Sequence, residues 1–345
     1  MNTTHHIRFA VVGLGHIGKR HAAMITEDPE AELVAYCDIK PKETLQLAES
    51  HIPFFQSIEE MLSAGIEIDV VCICTPNGLH AEQSIYALRK KCHVVCEKPM
   101  ALKKSDAELM IHTSLEMSRH IFCVMQNRYS PPSEWLKDIV KTGVLGSIYM
   151  VQLNCYWNRD ERYYKPGGWH GSKNLDGGTL FTQFSHFIDI MYWLFGDITN
   201  ISGNFADFNH KVLTDFEDSG VVTFNFVDGK GLGCLNYSTA VWDKNFESAI
   251  TIIGSKGTVK VAGQYMNDVV YCHIQDYEMP TLAPSNPPND YGLYKGSAQN
   301  HHYVIQNVVD KLQGDGVIST NLLEGLKVVD IIERIYAVRD ICWKK

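Results

Sequence analysis

The sequence predicts an α/β protein with two domains. The N-terminal domain has a parallel sheet flanked by helices, and the C-terminal α+β domain has a large, mostly antiparallel sheet. First, residues 9–12 form a short apolar run that leads directly into a G-x-G-x-x-G turn. Second, apolar runs then alternate with helical patterns as far as residue 123. Third, strands with alternating polarity dominate afterwards, from Ser147 to Gln275. We place the domains at 1–125 and 126–345, with a last helix at about 322–341.

The glycine turn indicates a dinucleotide site of the Rossmann type. Gly13 allows a tight strand-to-helix turn, Gly15 lets the backbone approach a pyrophosphate, and Gly18 lets the helix pack closely on the strand. His16 and Ile17 begin that helix, whose free N–H groups attract phosphate. These five residues are therefore expected to bind the cofactor.

An acidic residue stands where such a site needs one. Asp38 ends a second predicted strand, about 20 residues beyond the glycines. Its carboxylate can accept both ribose hydroxyls and would repel a 2′-phosphate, which favours NAD as the cofactor. Lys40 lies close by and leaves NADP as the alternative. Without the strand and the glycines, Asp38 would be an ordinary turn residue before Pro41.

Two further predicted strands end in polar turns. Thr75 to His80 follows one strand, and Glu97-Lys98-Pro99 follows the next. Ligands bind at the carboxyl ends of parallel strands, so these turns are expected to line the cofactor. Lys98 is also a candidate catalytic residue, because a lysine held beside a buried strand suits acid–base chemistry; the alternative is a surface lysine. The expected cofactor contacts are Thr75, Pro76, Asn77, His80, Glu97 and Lys98, with Gln126 from the next junction.

Composition excludes several classes of protein. The chain has 345 residues, 45% of them hydrophobic and 21% charged, which is typical of a globular protein with two domains. The net charge of −9 argues against a nucleic-acid partner. No run of eighteen apolar residues or apolar leader occurs, so we expect neither membrane span nor signal peptide. Ten scattered cysteines indicate reduced thiols in a cytoplasmic protein, and no motif predicts a metal site.

The segment from Trp157 to Gly196 contains the second set of candidates. A helix is predicted over 179–195, with an apolar stripe and a polar stripe of Thr182, His186 and Asp189 at i, i+4 and i+7. The remaining surface is also apolar, so the polar stripe is expected to line a cavity. We therefore expect His186 to be functional. The alternative is a histidine of the core whose hydrogen bonds are all made within the protein.

The motifs together resemble the Gfo/Idh/MocA family of sugar and cyclitol oxidoreductases. The match rests on G-x-G-x-x-G, T-P-N-x-x-H and E-K-P, and it extends over essentially the whole chain. The resemblance implies that Lys98 is catalytic, that the Lys98–Pro99 bond is cis, and that His186 pairs with the lysine. The family often carries an aspartate where this sequence has Thr182. It also implies a last helix packed on the first domain and a homodimer or homotetramer.

Finer motifs look like those of bacterial UDP-N-acetyl-2-amino-2-deoxy-D-glucuronate 3-dehydrogenases, which serve lipopolysaccharide O-antigen synthesis. They are Q-N-R-Y at 126–129, W-x-R with Y-Y at 157–164, and D-G-G-T-L-F-T-Q-F-S-H at 176–186. The resemblance implies NAD-dependent oxidation of the 3-hydroxyl of UDP-N-acetylglucosaminuronate. His186 is the candidate base and Lys98 the donor to the reacting oxygen, with the reverse assignment open. The expected substrate contacts are Lys98, Asn127, Arg128, Arg159, Tyr163, Thr182, Gln183 and His186.

Several alternatives stay open. The cation for the substrate carboxylate or phosphates is Arg128, Arg159 or Arg162, since guanidinium pairs bidentately with both groups. Tyr163 either stacks on the substrate or packs within its loop. The substrate itself is alternatively UDP-N-acetylglucosamine, a free sugar or inositol. A catalytically silent NAD-binding regulator is a different class of function, and the presence of Lys98 and His186 argues against it.

Overall fold

The computed structural model describes residues 6–47, 51–229, 231–314 and 316–342, which form two compact units. The first unit consists of the chain up to Met125 together with His301–Leu326. The second consists of Gln126–Asn300 together with the chain from Lys327. The first five residues, which bear on the expected lack of a signal peptide, lie outside the described residues.

Fifteen strands and eight α-helices are present in these ranges. The strands are β1 (Ile7–Val12), β2 (Ala31–Cys37), β3 (Phe54–Phe55), β4 (Val70–Ile73), β5 (His93–Cys96), β6 (Ile121–Cys123), β7 (Ile148–Tyr156), β8 (Ile198–Ala206), β9 (Ser219–Phe226), β10 (Leu232–Ser238), β11 (Glu247–Gly254), β12 (Gly257–Ala262), β13 (Asp268–Ile274), β14 (Pro288–Asp290) and β15 (Lys295–Ala298). The helices are α1 (His16–Glu27), α2 (Ile58–Met61), α3 (His80–Arg89), α4 (Lys104–Met117), α5 (Pro131–Thr142), α6 (Ser185–Phe195), α7 (His301–Gln313) and α8 (Leu322–Cys342).

The first unit is built on a six-stranded parallel sheet in the order β3-β2-β1-β4-β5-β6. Every residue of β4 is buried, as expected of a central strand covered on both faces. Because the strands are parallel, the turns after β1, β4 and β5 lie at the same edge of the sheet. This arrangement confirms the predicted Rossmann fold.

The second unit is built on a seven-stranded sheet in the order β13-β12-β11-β7-β10-β9-β8. Only β7 and β10 run parallel to each other; the remaining neighbours are antiparallel. From Val151 onward, buried and partly buried residues alternate along β7, whose buried face packs on α6. The predicted class is confirmed, but β8 is an addition. It is an edge strand with a largely exposed, polar sequence, so it lacks the alternation that marks its neighbours.

The division of the chain differs from the predicted one in two places. The sequence predicts 126–345 as one domain, but residues 301–326 belong to the first unit, where α7 packs on α1. The last helix is predicted on the first domain, but from Lys327 it belongs to the second unit. There Lys327 and Arg334 both pair with Asp197. These pairs link residues about 130 positions apart in sequence, which no local pattern reveals.

Within the described ranges, every helix is either too short or too polar to cross a bilayer.

The pairing of Arg339 with Glu217 predicts a large loss of stability when the arginine is removed. Arg339 Nη1 lies 2.6 Å from Glu217 Oε2, and the Tyr237 hydroxyl donates to Oε1 at 2.9 Å. Burial raises the pKa of Glu217, and the guanidinium opposes that rise. Arg339→Met leaves the carboxylate buried without its cation and should cost about 3–5 kcal/mol in urea unfolding. Arg339→Met/Glu217→Gln should recover much of this loss; a single variant as stable as the double would contradict the account.

Candidate active site

The glycine turn between β1 and α1 has the close packing that its spacing predicts. Gly13 adopts a φ of +87°, and a Cβ there would lie 2.7 Å from the Cys74 carbonyl oxygen. A Cβ on Gly18 would lie 1.8 Å from the Gly13 carbonyl oxygen, so neither position tolerates a side chain. At Gly15 a Cβ would meet nothing within 4 Å. The open side of the turn, at the N-terminus of α1, is therefore where a pyrophosphate can approach the backbone.

Asp38 is fixed against this turn. Its Oδ2 accepts a hydrogen bond from the Leu14 amide at 2.7 Å, and its Oδ1 accepts one from the Lys40 amide at 2.9 Å. Each carboxylate oxygen keeps a further lone pair for a ribose hydroxyl. The glycine turn and the acidic residue thus form one arrangement, and its donors and acceptors fit the adenosine half of NAD.

The turn after β4 is tied to the loop that carries Lys98. The His80 ring is buried, with Nε2 at 2.9 Å from the Thr75 carbonyl oxygen and Nδ1 at 2.7 Å from that of Pro99. Burial lowers the pKa of His80, and the two carbonyl contacts oppose this. Because both ring nitrogens face backbone oxygens, His80 braces the two turns. The Lys98–Pro99 bond is cis, which confirms that expectation.

Glu97, which is predicted to contact the cofactor, takes part in a buried polar network. Its carboxylate is buried, with Oε1 at 2.9 Å from His21 Nε2 and Oε2 accepting from the Lys98 amide at 3.2 Å. His301, from the other end of the chain, also lies near it. Sequence reasoning missed His21 and His301. They stand 76 residues before and 204 after Glu97, so no spacing connects them.

In the second unit, the helix predicted over 179–195 consists of a π-helical segment followed by an α-helix. Residues Leu180–Phe184 form a π-helix, and α6 begins only at Ser185. A π-helical turn contains more residues than an α-helical turn, so Thr182 is offset from His186 and Asp189. The predicted polar stripe, which assumed a regular α-helix, is therefore wrong. His186 lies near Gln126, whose amide nitrogen is 3.4 Å from His186 Nε2. Asp189 instead makes a bidentate pair with Arg128, at 2.8 and 2.6 Å. π-Helical turns often occur at functional sites.

Thr182 meets a carboxylate that the sequence did not single out. Its hydroxyl donates to the carbonyl oxygen of Asp176 at 2.9 Å and to Asp176 Oδ1. Asp176 Oδ2 accepts from the Gly171 amide at 2.8 Å, and the Asp176 side chain is buried. Asp176 begins the motif D-G-G-T-L-F-T-Q-F-S-H at 176–186, but the motif does not indicate that Asp176 pairs with Thr182. The Thr182 hydroxyl thus donates its one proton to Asp176, and its oxygen can still accept a hydrogen bond from another group.

Arg159 is the most unusual predicted residue of this unit. The side chain is 2% exposed, and its four hydrogen bonds go to neutral oxygens of Gln183, Asn158, Asn245 and Lys295. Three rings surround its Cζ atom, with centroids 4.8–5.2 Å away, from Trp157, Tyr163 and Tyr294. Burial lowers the pKa of Arg159, and the nearby tyrosines oppose this. Across the described residues, no carboxylate pairs with this guanidinium.

The other predicted substrate residues are placed as follows. Gln183 Nε2 donates to the Tyr163 hydroxyl at 2.8 Å, so Tyr163 packs within its loop beside Arg159. Asn127 Oδ1 accepts from the Ser297 hydroxyl. Arg162 is half-exposed and pairs with Asp160 at 2.7 Å. Of the three arginines proposed as cations, two therefore have acidic partners of their own.

Comparison with known proteins gives a consistent result. Residues 7–124 match the description "Oxidoreductase family, NAD-binding Rossmann fold", and residues 134–260 match "GFO/IDH/MocA C-terminal domain". The WlbA dehydrogenase of Bordetella pertussis, crystallised with NADH and UDP-GlcNAcA, is 32% identical, with 97% of each chain covered and a TM-score of 0.84. The Chromobacterium violaceum WlbA structure, with the same two ligands, is 31% identical over 98% of this chain and 95% of that one, also at 0.84. D-Glucoside 3-dehydrogenase of Escherichia coli is 31% identical, over 56% of this chain and 55% of that protein.

The geometry around Asp38 predicts how a substitution will affect cofactor binding. Asp38→Asn keeps the shape but removes the charge that accepts the ribose hydroxyls and repels a 2′-phosphate. We expect NADH to bind roughly 10-fold more weakly, since a hydrogen bond to a charged group contributes about 1.5–3 kcal/mol, and discrimination against NADPH to fall. Fluorescence titration with both nucleotides measures this. Lys40→Ala is the control, because Lys40 contacts Asp38 through its backbone amide; an unchanged NADH preference in Asp38→Asn would contradict the role.

Proposed function

This chain belongs to the Gfo/Idh/MocA oxidoreductase family as an NAD-dependent dehydrogenase, and we propose that its substrate is a UDP-linked N-acetylated hexuronate. The reaction would oxidise the 3-hydroxyl of UDP-N-acetylglucosaminuronate to a ketone. The observation that carries the proposal is the buried guanidinium of Arg159, which has only neutral oxygens and aromatic rings around it in the described structure. A buried cation is costly without an anion, so a substrate carboxylate would stabilise it. The two WlbA structures, obtained with UDP-GlcNAcA, support the same substrate class.

The geometry of the arginine suits a carboxylate better than a neutral hydroxymethyl group. Its hydrogen bonds to Gln183, Asn245 and Lys295 hold the fork rigidly, so little entropy would be lost when a ligand binds. Nη2 of Arg159 donates one hydrogen bond, to the Lys295 carbonyl oxygen, and keeps a second N–H for a ligand. A neutral sugar would leave the buried charge uncompensated, and this difference would favour the uronate.

The chemistry divides between the cofactor and two side chains. When bound, NAD supplies the acceptor for the hydride that leaves the carbon bearing the hydroxyl. His186 would take the hydroxyl proton. Lys98 would donate a hydrogen bond to the same oxygen as it becomes a carbonyl. Each role is an acid–base contribution of about 10²- to 10⁴-fold.

We further propose a place for the enzyme in the cell. Its product would be a keto sugar nucleotide, which a later amine-transfer step can use in lipopolysaccharide O-antigen synthesis. A cytoplasmic location is supported by the cysteines, all ten of which are free thiols. The oligomer proposed from the family resemblance, a homodimer or homotetramer, can be measured by light scattering of the purified protein.

A substrate panel tests the proposal directly. NADH absorbance is followed after mixing the enzyme with NAD and UDP-N-acetylglucosaminuronate, UDP-N-acetylglucosamine, UDP-glucuronate or myo-inositol. We expect reduction by the acetamido-uronate in a single turnover, and Lys98→Met or His186→Leu should slow it by about 10²- to 10⁴-fold. Reduction only by a neutral sugar or inositol would move the enzyme to another substrate. Binding of NAD without any reduction would favour an untested sugar or the regulator.

Arg159 provides a second and independent test. Arg159→Lys keeps a positive charge but loses the planar fork, so the acetamido-uronate should bind about 10- to 100-fold more weakly, as expected for one lost charged hydrogen bond. UDP-N-acetylglucosamine, which lacks the carboxylate, should lose much less. Isothermal titration with both nucleotides measures the difference. Arg162→Lys is the matched control, since Arg162 already pairs with Asp160; equal losses for both ligands would rule out a carboxylate contact.

A further inference from the structure

A cluster of three buried titratable side chains lies beside Lys98. His21 comes from α1, Glu97 follows β5, and His301 begins α7, all in the first unit. Glu97 Oε1 lies 2.9 Å from His21 Nε2 and 3.6 Å from His301 Nε2. The two imidazole rings meet edge to face, with centroids 5.8 Å apart. Glu97 is 6% exposed and the histidines 1% or less, so water does not screen their interaction.

The Glu97 carboxylate of this cluster is charged at neutral pH. Burial raises the pKa of Glu97, but the hydrogen bond from His21 and the nearby His301 and Lys98 hold it at about 2. Burial lowers the pKa of His301 to about 3, and the charge of Glu97 opposes that shift. The titratable groups that act on Glu97 or are acted on by it are His21, Cys72, Cys74, His80, Cys96, Lys98 and His301.

The same carboxylate holds the backbone of Lys98. Glu97 Oε2 accepts from the Lys98 amide at 3.2 Å, while the following residue, Pro99, has its carbonyl oxygen 2.7 Å from His80 Nδ1. The backbone at Lys98 is therefore held from both sides by buried groups, and the charges of Lys98 and Glu97 attract each other. A carboxylate fixed beside a lysine favours the protonated form of that lysine.

We propose that Glu97 is a positioning residue that keeps Lys98 oriented and protonated, and that His21 and His301 hold its carboxylate in place. This assigns Lys98 as the hydrogen-bond donor to the reacting oxygen and leaves His186 as the base. The assignment of these roles rests on the proposed function. The coupling between Glu97 and Lys98 does not, because it can be measured without any sugar substrate.

The experiment measures the protonation of Lys98 in the full-length protein. Samples are pulse-labelled with acetic anhydride over a range of pH, and acetylation of Lys98 is read by mass spectrometry. Glu97→Gln removes the anion, so the labelling midpoint should fall by roughly one pH unit or more. His21→Leu removes the hydrogen bond that supports the carboxylate and should move the midpoint in the same direction. His21→Gln places a donor near the position of Nε2 and should restore much of the wild-type value.

A matched control lies at the opposite end of β5. His93 is a partly buried histidine that contacts His120 and lies on the same strand four residues before Glu97. His93→Leu should leave the Lys98 midpoint unchanged, which separates a general loss of packing from the proposed coupling. If Glu97→Gln does not fold, the His21→Leu and His21→Gln pair provides the same test.

Two results would overturn the proposal. One is an unchanged Lys98 midpoint in a folded Glu97→Gln or His21→Leu variant. The other is a metal ion bound in equimolar amount and lost in His21→Leu. The donor atoms of the three residues lie within 4.8 Å of one another, and a bound cation would pair with the Glu97 carboxylate in place of Lys98. With an active substrate, the pH profile of kcat/KM should shift in the limb that depends on Lys98. Lack of turnover would count against the proposed function and leave the labelling result intact.

Discussion

The first unit depends on how closely α1 approaches the strand that precedes it. Gly18 lies so near the Gly13 carbonyl that any side chain would clash, and this contact fixes the depth of the helix. The N-terminus of α1 then faces the space beside Gly15. One turn further along, His21 lies deep enough to reach Glu97. A single packing constraint therefore sets both the phosphate end of the cofactor site and the support of Lys98.

The buried arginines of the second unit differ in whether an acidic side chain pairs with them. Arg128 pairs with Asp189, and Arg339 pairs with Glu217, so each of these buried cations has an anion built into the fold. Arg159 differs, because amide and carbonyl oxygens and three aromatic rings surround it in the described residues. Rings and neutral dipoles offset only part of the desolvation cost. This contrast within one unit is the basis of our proposal that Arg159, unlike the two paired arginines, receives an anionic ligand.

Local pattern predicts the fold better than it predicts the site. The parallel sheet, the glycine turn and most strands of the second sheet follow from apolar runs and turn residues that are adjacent in sequence. The polar edge strand β8 and the π-helix at 180–184 do not, because neither has a distinctive periodicity. Contacts between distant residues escape entirely. Arg159 meets the carbonyl of Lys295, 136 residues further along the chain, only in the folded protein.

The π-helix restricts insertions and deletions in residues 180–184. Its five residues make a turn wider by one position than an α-helical turn, so it is equivalent to a one-residue insertion in a regular helix. Deleting one residue between 180 and 184 would restore regular winding and rotate everything before it by about 100° relative to α6. Gln183 would then leave Arg159. The length of this segment is thus constrained as strictly as its sequence, and relatives that differ by one residue here would present a different set of side chains beside the histidine.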